Sequence, residues 1–314
     1  MTKLKGILLT QGMHGMISQV EGLAKALDLD FTHHTVELNS FWKVIPPNLT
    51  PISQNVYKKI NQNEFDVIIS CGRKSVIPSI HLKNTANKKV FNIHIQDPKV
   101  NLKHFDFIVA PEHDNLDGQN VINTKGAIHY LTENEISENK DYLKPFIKND
   151  GRNIWTLILG GPTKYYDYST KNMKHIFTSL YKLLKKHDFQ LVVIPSMRTP
   201  INTIHYAKEF FGDNHTIIMD VDKKAYLSAL AIAKNIIVTC DSSSMISEAA
   251  LTGKPIYIAG ILPRKDDKRF QKFRNLFREL NIIRNLGEEI EDWNYLKLDE
   301  TNRVANIIKK KIIS

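Results

Sequence analysis

A chain of 314 residues with 42% apolar and 24% charged side chains is long enough for two buried cores, and needs neither a disulfide nor a structural metal to hold them. Its longest apolar runs, such as Val67-Ile68-Ile69 and Ile236-Ile237-Val238, fall far short of the about 20 residues that a membrane-spanning helix requires. The formal net charge of +10 favours anionic partners such as phosphates or an acidic lipid surface, or else reflects only a basic bias of the source proteome; no aromatic-rich basic module points to nucleic acid, and none is expected as a partner.

In chain order, Met1–Thr10 has only a short apolar stretch before Gln11, so it reads as a first buried strand rather than a leader. Further β-branched runs follow at 32–38, 66–70, 90–95 and 107–110, with a weaker one at 121–124. Val20, Leu23, Ala24 and Leu27 recur at helical spacing between the first two. Continuous apolar strands alternating with helices indicate a parallel sheet buried on both faces. Residues 133–148 read as a polar amphipathic helix broken by Asn149-Asp150-Gly151, where a domain boundary is expected.

The rhythm then restarts. Strands are expected at 155–159, 191–194, 216–219, 236–239 and 255–259, and helices at 173–186, 201–211, 225–233 and 245–252. The expected architecture is therefore α/β, with two Rossmann-like domains (1–149 and 150–314) facing across a cleft. The basic terminal helix 302–313 is free to pack back on the first domain. Cys71 and Cys240 each end a strand in different halves and read as reduced thiols of a cytosolic protein.

Ligands of open parallel sheets bind beyond the carboxyl ends of the strands. The most informative such stretch is Cys240-Asp241-Ser242-Ser243-Ser244, which opens a helix carrying Glu248 and closes on Gly253-Lys254-Pro255. Serine hydroxyls and free N–H groups at a helix start form an anion site, although one serine serving only as a cap is the simpler alternative. Gly160, Gly161, Thr163 and Lys164 form a turn in which backbone N–H groups can approach a diphosphate. Lys164 or Arg198 can neutralise a leaving group.

In the first half, Gly72, Arg73, Lys74 and Ser75 place two cations and a hydroxyl at a helix start, as an anion site or as a solvated basic turn. The spacing is not that of a Walker A loop. The proline after Asp97 bends the chain so as to aim Gln96 and Asp97 outward. Glu112, His113 and Asp114 offer a carboxylate–imidazole pairing for general-base work, or simply a polar loop. No metal spacing is seen, and no metal is expected. Residues 264–280 carry Phe270, Phe273, Phe277 and Leu280 on one face among basic residues. A domain-covering helix is the favoured reading and a membrane-surface helix the other.

Two resemblances rest on these residues. The serine turn, the Glu248-Ala249 pair and Gly253-Lys254-Pro255 resemble the nucleotide-sugar site of GT-B-fold glycosyltransferases and UDP-sugar 2-epimerases. That resemblance implies a glutamate on ribose and a turn on the diphosphate. More widely, residues 66–75, His94-Ile95-Gln96-Asp97-Pro98, Ala110-Pro111-Glu112-His113-Asp114 and Gly126-Ala127-Ile128-His129, with the Gly160 turn and Ser242–Glu248, resemble the mitochondrial-fission (elongated-mitochondria) family. That family implies a GT-B-like fold. Ile17 stands where it often has a glutamate, so no carboxylate duty is expected in the Gly12-Met13-His14-Gly15-Met16-Ile17-Ser18-Gln19 turn. By analogy His14 there is a candidate base, or a histidine packed in a loop.

Jointly these readings predict a glycosyltransferase with a nucleotide-sugar donor and no tightly bound cofactor. The donor would sit on Gly160, Gly161, Thr163, Lys164, Arg198, Ser242, Ser243, Ser244 and Glu248. The acceptor would lie near Gly12, Gly15, Gln19, Gly72, Arg73, Lys74, Ser75 and Gln96, with His14, Asp97, Glu112 or His113 as catalytic groups. A 2-epimerase-like enzyme and a non-catalytic scaffold that recruits a partner protein to a membrane remain as alternatives, as does a peripheral position at an anionic inner-membrane surface.

Overall fold

The computed structural model describes residues 3–61 and 64–313. In chain order the elements begin with β1 (Lys5–Thr10), α1 (His14–Ala26), β2 (Asp30–Thr35), β3 (Val67–Cys71), α2 (Val76–Thr85), β4 (Phe91–Ile95), β5 (Phe107–Pro111) and β6 (Val121–Thr124). They continue with α3 (Glu133–Glu138), β7 (Ile154–Leu159), α4 (Thr170–His187), β8 (Gln190–Pro195), α5 (Ile201–Phe211), β9 (Thr216–Ile217), α6 (Lys223–Ile232) and β10 (Asn235–Thr239). The chain closes with α7 (Ser243–Ala250), β11 (Ile256–Ala259), α8 (Lys268–Glu279), β12 (Ile283–Asn285) and α9 (Glu300–Ile313).

The strands form two six-stranded sheets, ordered β2-β1-β3-β4-β5-β6 and β12-β11-β10-β7-β8-β9. Every pairing is parallel. This is the α/β architecture of two Rossmann-like domains. Its cause is visible in the central strands: β3, β8 and β10 are buried along their whole length, as strands covered on both faces must be. β9 is only two residues long, and β12 was not expected, because Ile283-Arg284-Asn285 has no apolar run of its own and pairs as an edge against β11.

In each sheet the order reverses between two neighbouring central strands, β1 and β3 in the first and β7 and β10 in the second. There the connections leave in opposite directions and open a crevice at the strands' carboxyl ends.

The chain forms two compact units, residues 1–130 with 299–314, and residues 131–298. The division falls at Tyr130–Leu131 rather than at Asn149–Gly151. The physical reason is Leu143, which is fully buried with Val192, Ile194, Ala225 and Ala229 of the second unit. Its N–H donates to Ser228 Oγ at 3.1 Å, and the Tyr142 hydroxyl donates to Asp222 at 2.7 Å. The helix expected over 133–148 is regular only as α3, capped by Thr132, whose hydroxyl accepts the Glu135 N–H. The terminal helix α9 belongs to the first unit, where Val304, Ala305 and Ile308 share a core with Leu8, Val20 and Leu23.

α8 buries Phe273 and Phe277 completely. Phe270 is half-buried against the Tyr165 and Tyr166 rings and Leu280 is half-buried, so α8 packs its apolar face on its own unit. No helix among the described residues is long and apolar enough to cross a membrane. Cys71 and Cys240 are buried free thiols, and burial pushes both above the usual thiol range.

Candidate functional site

The second unit's crevice lies where β7 and β10 end. Thr239 closes β10, and its hydroxyl accepts the Gly160 N–H at 2.9 Å. Asp241 follows two residues later with a fully buried side chain. Its Oδ2 accepts the Gly161 N–H at 3.0 Å and an Arg198 Nη2–H at 3.0 Å. Its Oδ1 accepts the Tyr168 hydroxyl at 2.5 Å, and Tyr168 Oη also lies 2.8 Å from Thr239 Oγ1. Arg198 Nη1 donates to the Gly161 carbonyl at 2.9 Å. Burial, and then the Asp241 charge, hold the Tyr168 phenol well above its usual range, so it stays a donor.

This network explains the paired glycines. A Cβ on Gly160 would lie 2.2 Å from Asp241 Oδ2, and one on Gly161 would lie 2.1 Å from the Arg198 carbonyl oxygen. The expected cradle of Gly160 and Gly161 N–H groups for a diphosphate is therefore corrected: both donors are consumed inside the protein. Thr163 is likewise used locally, its hydroxyl accepting the Tyr165 and Tyr166 N–H groups at 3.1 Å each. Lys164 is exposed, with Nζ 4.9 Å from the Tyr165 ring centre. Arg198 keeps about two-fifths of its side chain accessible while paired to Asp241.

α7 begins beside this network. Ser242 is its N-cap, with Oγ accepting the Met245 N–H at 3.4 Å. Ser243 and Ser244 lie half-buried in the first turn. Glu248 is half-buried further along the helix, where Oε2 accepts the Tyr226 hydroxyl at 2.7 Å. Burial pushes the Glu248 carboxyl up to about 7, opposed by the Tyr226 hydrogen bond. Lys254 caps α6, donating to the Leu230 carbonyl at 2.8 Å, and burial lowers its ammonium to about 8.

The first unit's crevice is filled differently. Gly72, at φ +90°, is packed so closely that a Cβ would lie 2.4 Å from Gln11 Nε2 and 2.7 Å from the Met16 sulfur. Cys71 Sγ lies 3.8 Å from Gln19 Oε1. The turns after β1 and β3 are thus brought together, but as packing. The Gly12 N–H is taken by Thr10 Oγ1 at 3.0 Å. His14 and Gly15 start α1 and are exposed, with the His14 ring edge-on to Tyr130.

The anion reading of Arg73-Lys74-Ser75 is corrected here. Arg73 donates to the carbonyls of Ile45, at 3.1 Å, and Lys43, while Ser75 is buried with its hydroxyl on the Gly72 carbonyl at 2.7 Å. Only Lys74 is left uncommitted by those bonds. Gln96 takes a left-handed φ of +83°, strained for a residue with a side chain. Asp97 is held by the Lys99 N–H at 2.9 Å and the Lys99 ammonium. Burial works against that ionisation, but the Lys99 bonds prevail and take the carboxyl below its usual range. A carboxylate so placed is a weak base. Glu112 is exposed, whereas His113 is mostly buried, with Nε2 3.7 Å from Asp114. Among the described residues no group of three or more His, Cys, Asp or Glu side chains could hold a metal ion.

Sequence reasoning named Asp241 within the serine stretch without giving it a role, and passed over Tyr168, Thr239 and Tyr226. Asp241 could have been found by the strand-end rule itself, since it stands directly between β10 and the serines. Tyr168 could not, because it reaches the crevice from a turn past the glycines.

A profile of the family described as Mitochondrial fission ELM1 matches residues 14–312. The chain belongs to the mitochondrial fission ELM1 family. Within it, the chain is similar to the mitochondrial fission protein ELM1 of Arabidopsis thaliana, with 24% identity over 274 residues, 78% of this chain and 64% of that protein. It thus spans less than two-thirds of that relative's length. An uncharacterised protein of Rickettsia prowazekii is 27% identical, covering 94% of this chain and 95% of that one.

Among solved structures, the S. aureus MnaA–UDP complex aligns with a TM-score of 0.53 at 15% identity over 99% of this chain and 88% of that one. UDP-GlcNAc 2-epimerase of Neisseria meningitidis, bound to UDP-GlcNAc, aligns with a TM-score of 0.52 at 13% identity over all of both chains. At such identities the likeness is one of fold, and this ELM1-family chain has a GT-B-like fold.

Proposed function

We propose that this ELM1-family protein binds a nucleoside-diphosphate sugar in its second unit and transfers the sugar to an acceptor. The observation that carries the reading is Glu248: a half-buried carboxyl raised to about 7, fixed by Tyr226 and set on the helix whose first turn bears Ser243 and Ser244. In the proposed complex Glu248 accepts from the ribose hydroxyls, and the α7 N-terminus with its serines receives the diphosphate. Arg198 and Lys164 offset charge on the departing diphosphate. Asp241 touches no ligand in this scheme; it holds Arg198 and the Gly161 turn in place. The two solved structures named above, one carrying UDP and the other UDP-GlcNAc, support the choice of ligand class.

The groups expected as a base all lie in the first unit and differ in how they are held. His14 and Glu112 are exposed, whereas Asp97 is tied to Lys99 and His113 is mostly buried. In the transfer an acceptor hydroxyl gives its proton to a base, and its oxygen bonds to the sugar carbon while the diphosphate leaves with the bonding electron pair.

The test is thermal melting of the full chain with UDP, GDP and ADP sugars. At least one should raise Tm in wild type and none should in Glu248→Ala. If no nucleotide sugar shifts wild type, the donor site is wrong and the scaffold reading takes its place. If a sugar epimer forms without any acceptor, the protein is an epimerase rather than a transferase.

A further inference from the structure

A second cavity in the same unit uses none of the α7 residues. It has a volume of about 340 Å³ and opens where β10, β11 and β12 end. Arg274 and Arg278, one helical turn apart on α8, form one wall, and His175 of α4 and Asn285 of β12 contribute further polar groups. Ile258 and Ile261 supply an apolar floor, and among the described residues no carboxylate lines it.

The two arginines are in different states. Arg274 is neutralised by Asp267, at 2.9 Å, and donates also to Tyr166 Oη and the Cys240 carbonyl. Arg278 donates only to neutral amide oxygens, Asn275 Oδ1 at 2.7 Å and Asn285 Oδ1 at 2.9 Å. Among the described residues no carboxylate pairs with it. Partial desolvation, and then the Arg274 charge, bring the Arg278 guanidinium below its usual range, so the two like charges do repel. A cavity whose wall carries an uncompensated guanidinium beside a second one has its potential set for an anion.

We propose that this cavity is a binding site for a small organic oxyanion, a phosphate or a carboxylate carried on a compact apolar body. Size selects against a bare ion. At about 30 Å³ per water, the volume corresponds to roughly eleven water molecules, whereas a phosphate ion has five non-hydrogen atoms. The oxyanion takes the Arg278 fork, in the bidentate geometry that guanidinium offers and ammonium does not, and the apolar body lies on Ile258 and Ile261.

Isothermal titration of the full chain with phenyl phosphate, benzoate, inorganic phosphate and phenol tests this. Phenyl phosphate or benzoate should bind saturably, and their ratio identifies the preferred headgroup. Inorganic phosphate should bind more weakly than phenyl phosphate, and phenol should not bind. Arg278→Gln, at an exposed position that leaves the core intact, should weaken the tighter probe about tenfold or more. Arg278→Lys should recover only part of that loss. Glu248→Gln should leave this binding unchanged, which separates the site from the donor site. The proposal fails if neither organic oxyanion saturates, if Arg278→Gln binds as wild type, or if inorganic phosphate binds as tightly as its phenyl ester.

Discussion

The two units carry the same crevice and fill it with different chemistry. At the carboxyl ends of β1 and β3 a glycine is crowded by an amide and a thioether, Gln11 and Met16. At the ends of β7 and β10 two glycines are crowded by a buried carboxylate and the backbone of its arginine, Asp241 and Arg198. Topology alone therefore locates a crevice without saying what it does. A neutral plug costs little to bury. A buried carboxylate costs several kcal/mol in desolvation and is retained only with its donors in place, here Gly161, Arg198 and Tyr168.

The sharpest way to break this comparison is to remove each plug. Asp241→Ala strips the carboxylate from the Gly161 N–H, the Tyr168 hydroxyl and Arg198 Nη2, leaving Tyr168 the Thr239 hydroxyl and Arg198 the Gly161 carbonyl, and should cost about 3–5 kcal/mol in urea denaturation. Gln11→Ala should cost only about 1 kcal/mol, because the polar contact its amide makes in the crevice is a 3.8 Å approach to sulfur. Equal losses would mean that the two crevices are held alike.

Glycine substitutions come next. Gly161→Ala drives a methyl against the Arg198 backbone carbonyl, which cannot swing away, and should cost about 3 kcal/mol. Gly72→Ala meets the ends of flexible side chains instead, but adds the strain of φ +90°, so it should cost somewhat less, about 2 kcal/mol. If Gly161→Ala is neutral in urea titrations, its close contact is not what demands a glycine there.

This contrast also shows what the sequence discloses. β-branched runs such as Val67–Ser70 and Ile236–Thr239 locate strands, because burial on both faces demands continuous apolar residues. Strand ends then point to Gly160, Ser242 and Glu248. The partners of those groups are another matter. That the Gly161 N–H is spent on Asp241 depends on residues 80 positions apart. That Arg73 holds the carbonyls of Lys43 and Ile45 depends on residues 28 and 30 apart. A turn rich in glycine and cations looks the same in sequence whether its donors face a ligand or the protein itself. The division at Tyr130 was hidden for the same reason, since a break in helical pattern at Asn149 says nothing about which core Leu143 enters.

Glu248 sharpens the comparison through pH. Its carboxyl is raised from 4.5 to about 7 in the folded chain. Above 7 the folded protein must carry a poorly solvated charge that the unfolded chain carries freely. The wild type therefore loses stability as pH rises from about 4.5 to 7 and stays low beyond. Glu248→Gln keeps an acceptor for Tyr226 without the charge. At pH 8 it should be more stable than wild type, on the order of 2 kcal/mol, with the advantage gone below pH 4.5. Equal pH profiles for the two proteins in urea titrations would show that Glu248 is not raised.

Asp97, in the first unit, should give the smallest effect and the opposite slope. Its folded carboxyl sits below 3.8, because the Lys99 bonds outweigh burial. Its stabilising contribution is thus fully present above pH 3.8 and is lost as pH falls through the lower, folded value. The pair is local, two residues apart, and the Lys99 end is mostly exposed, so Asp97→Asn should cost less than about 1 kcal/mol at pH 7. Below the folded value, wild type and variant should converge. A carboxyl that gains by ionising is also a poor proton acceptor, so Asp97→Asn should leave a nucleotide-sugar melting shift and any transferase rate near wild type. A large loss of rate with an unchanged melting shift would instead show that the ionised Asp97 carboxylate takes part in the reaction in spite of the first crevice's neutral plug.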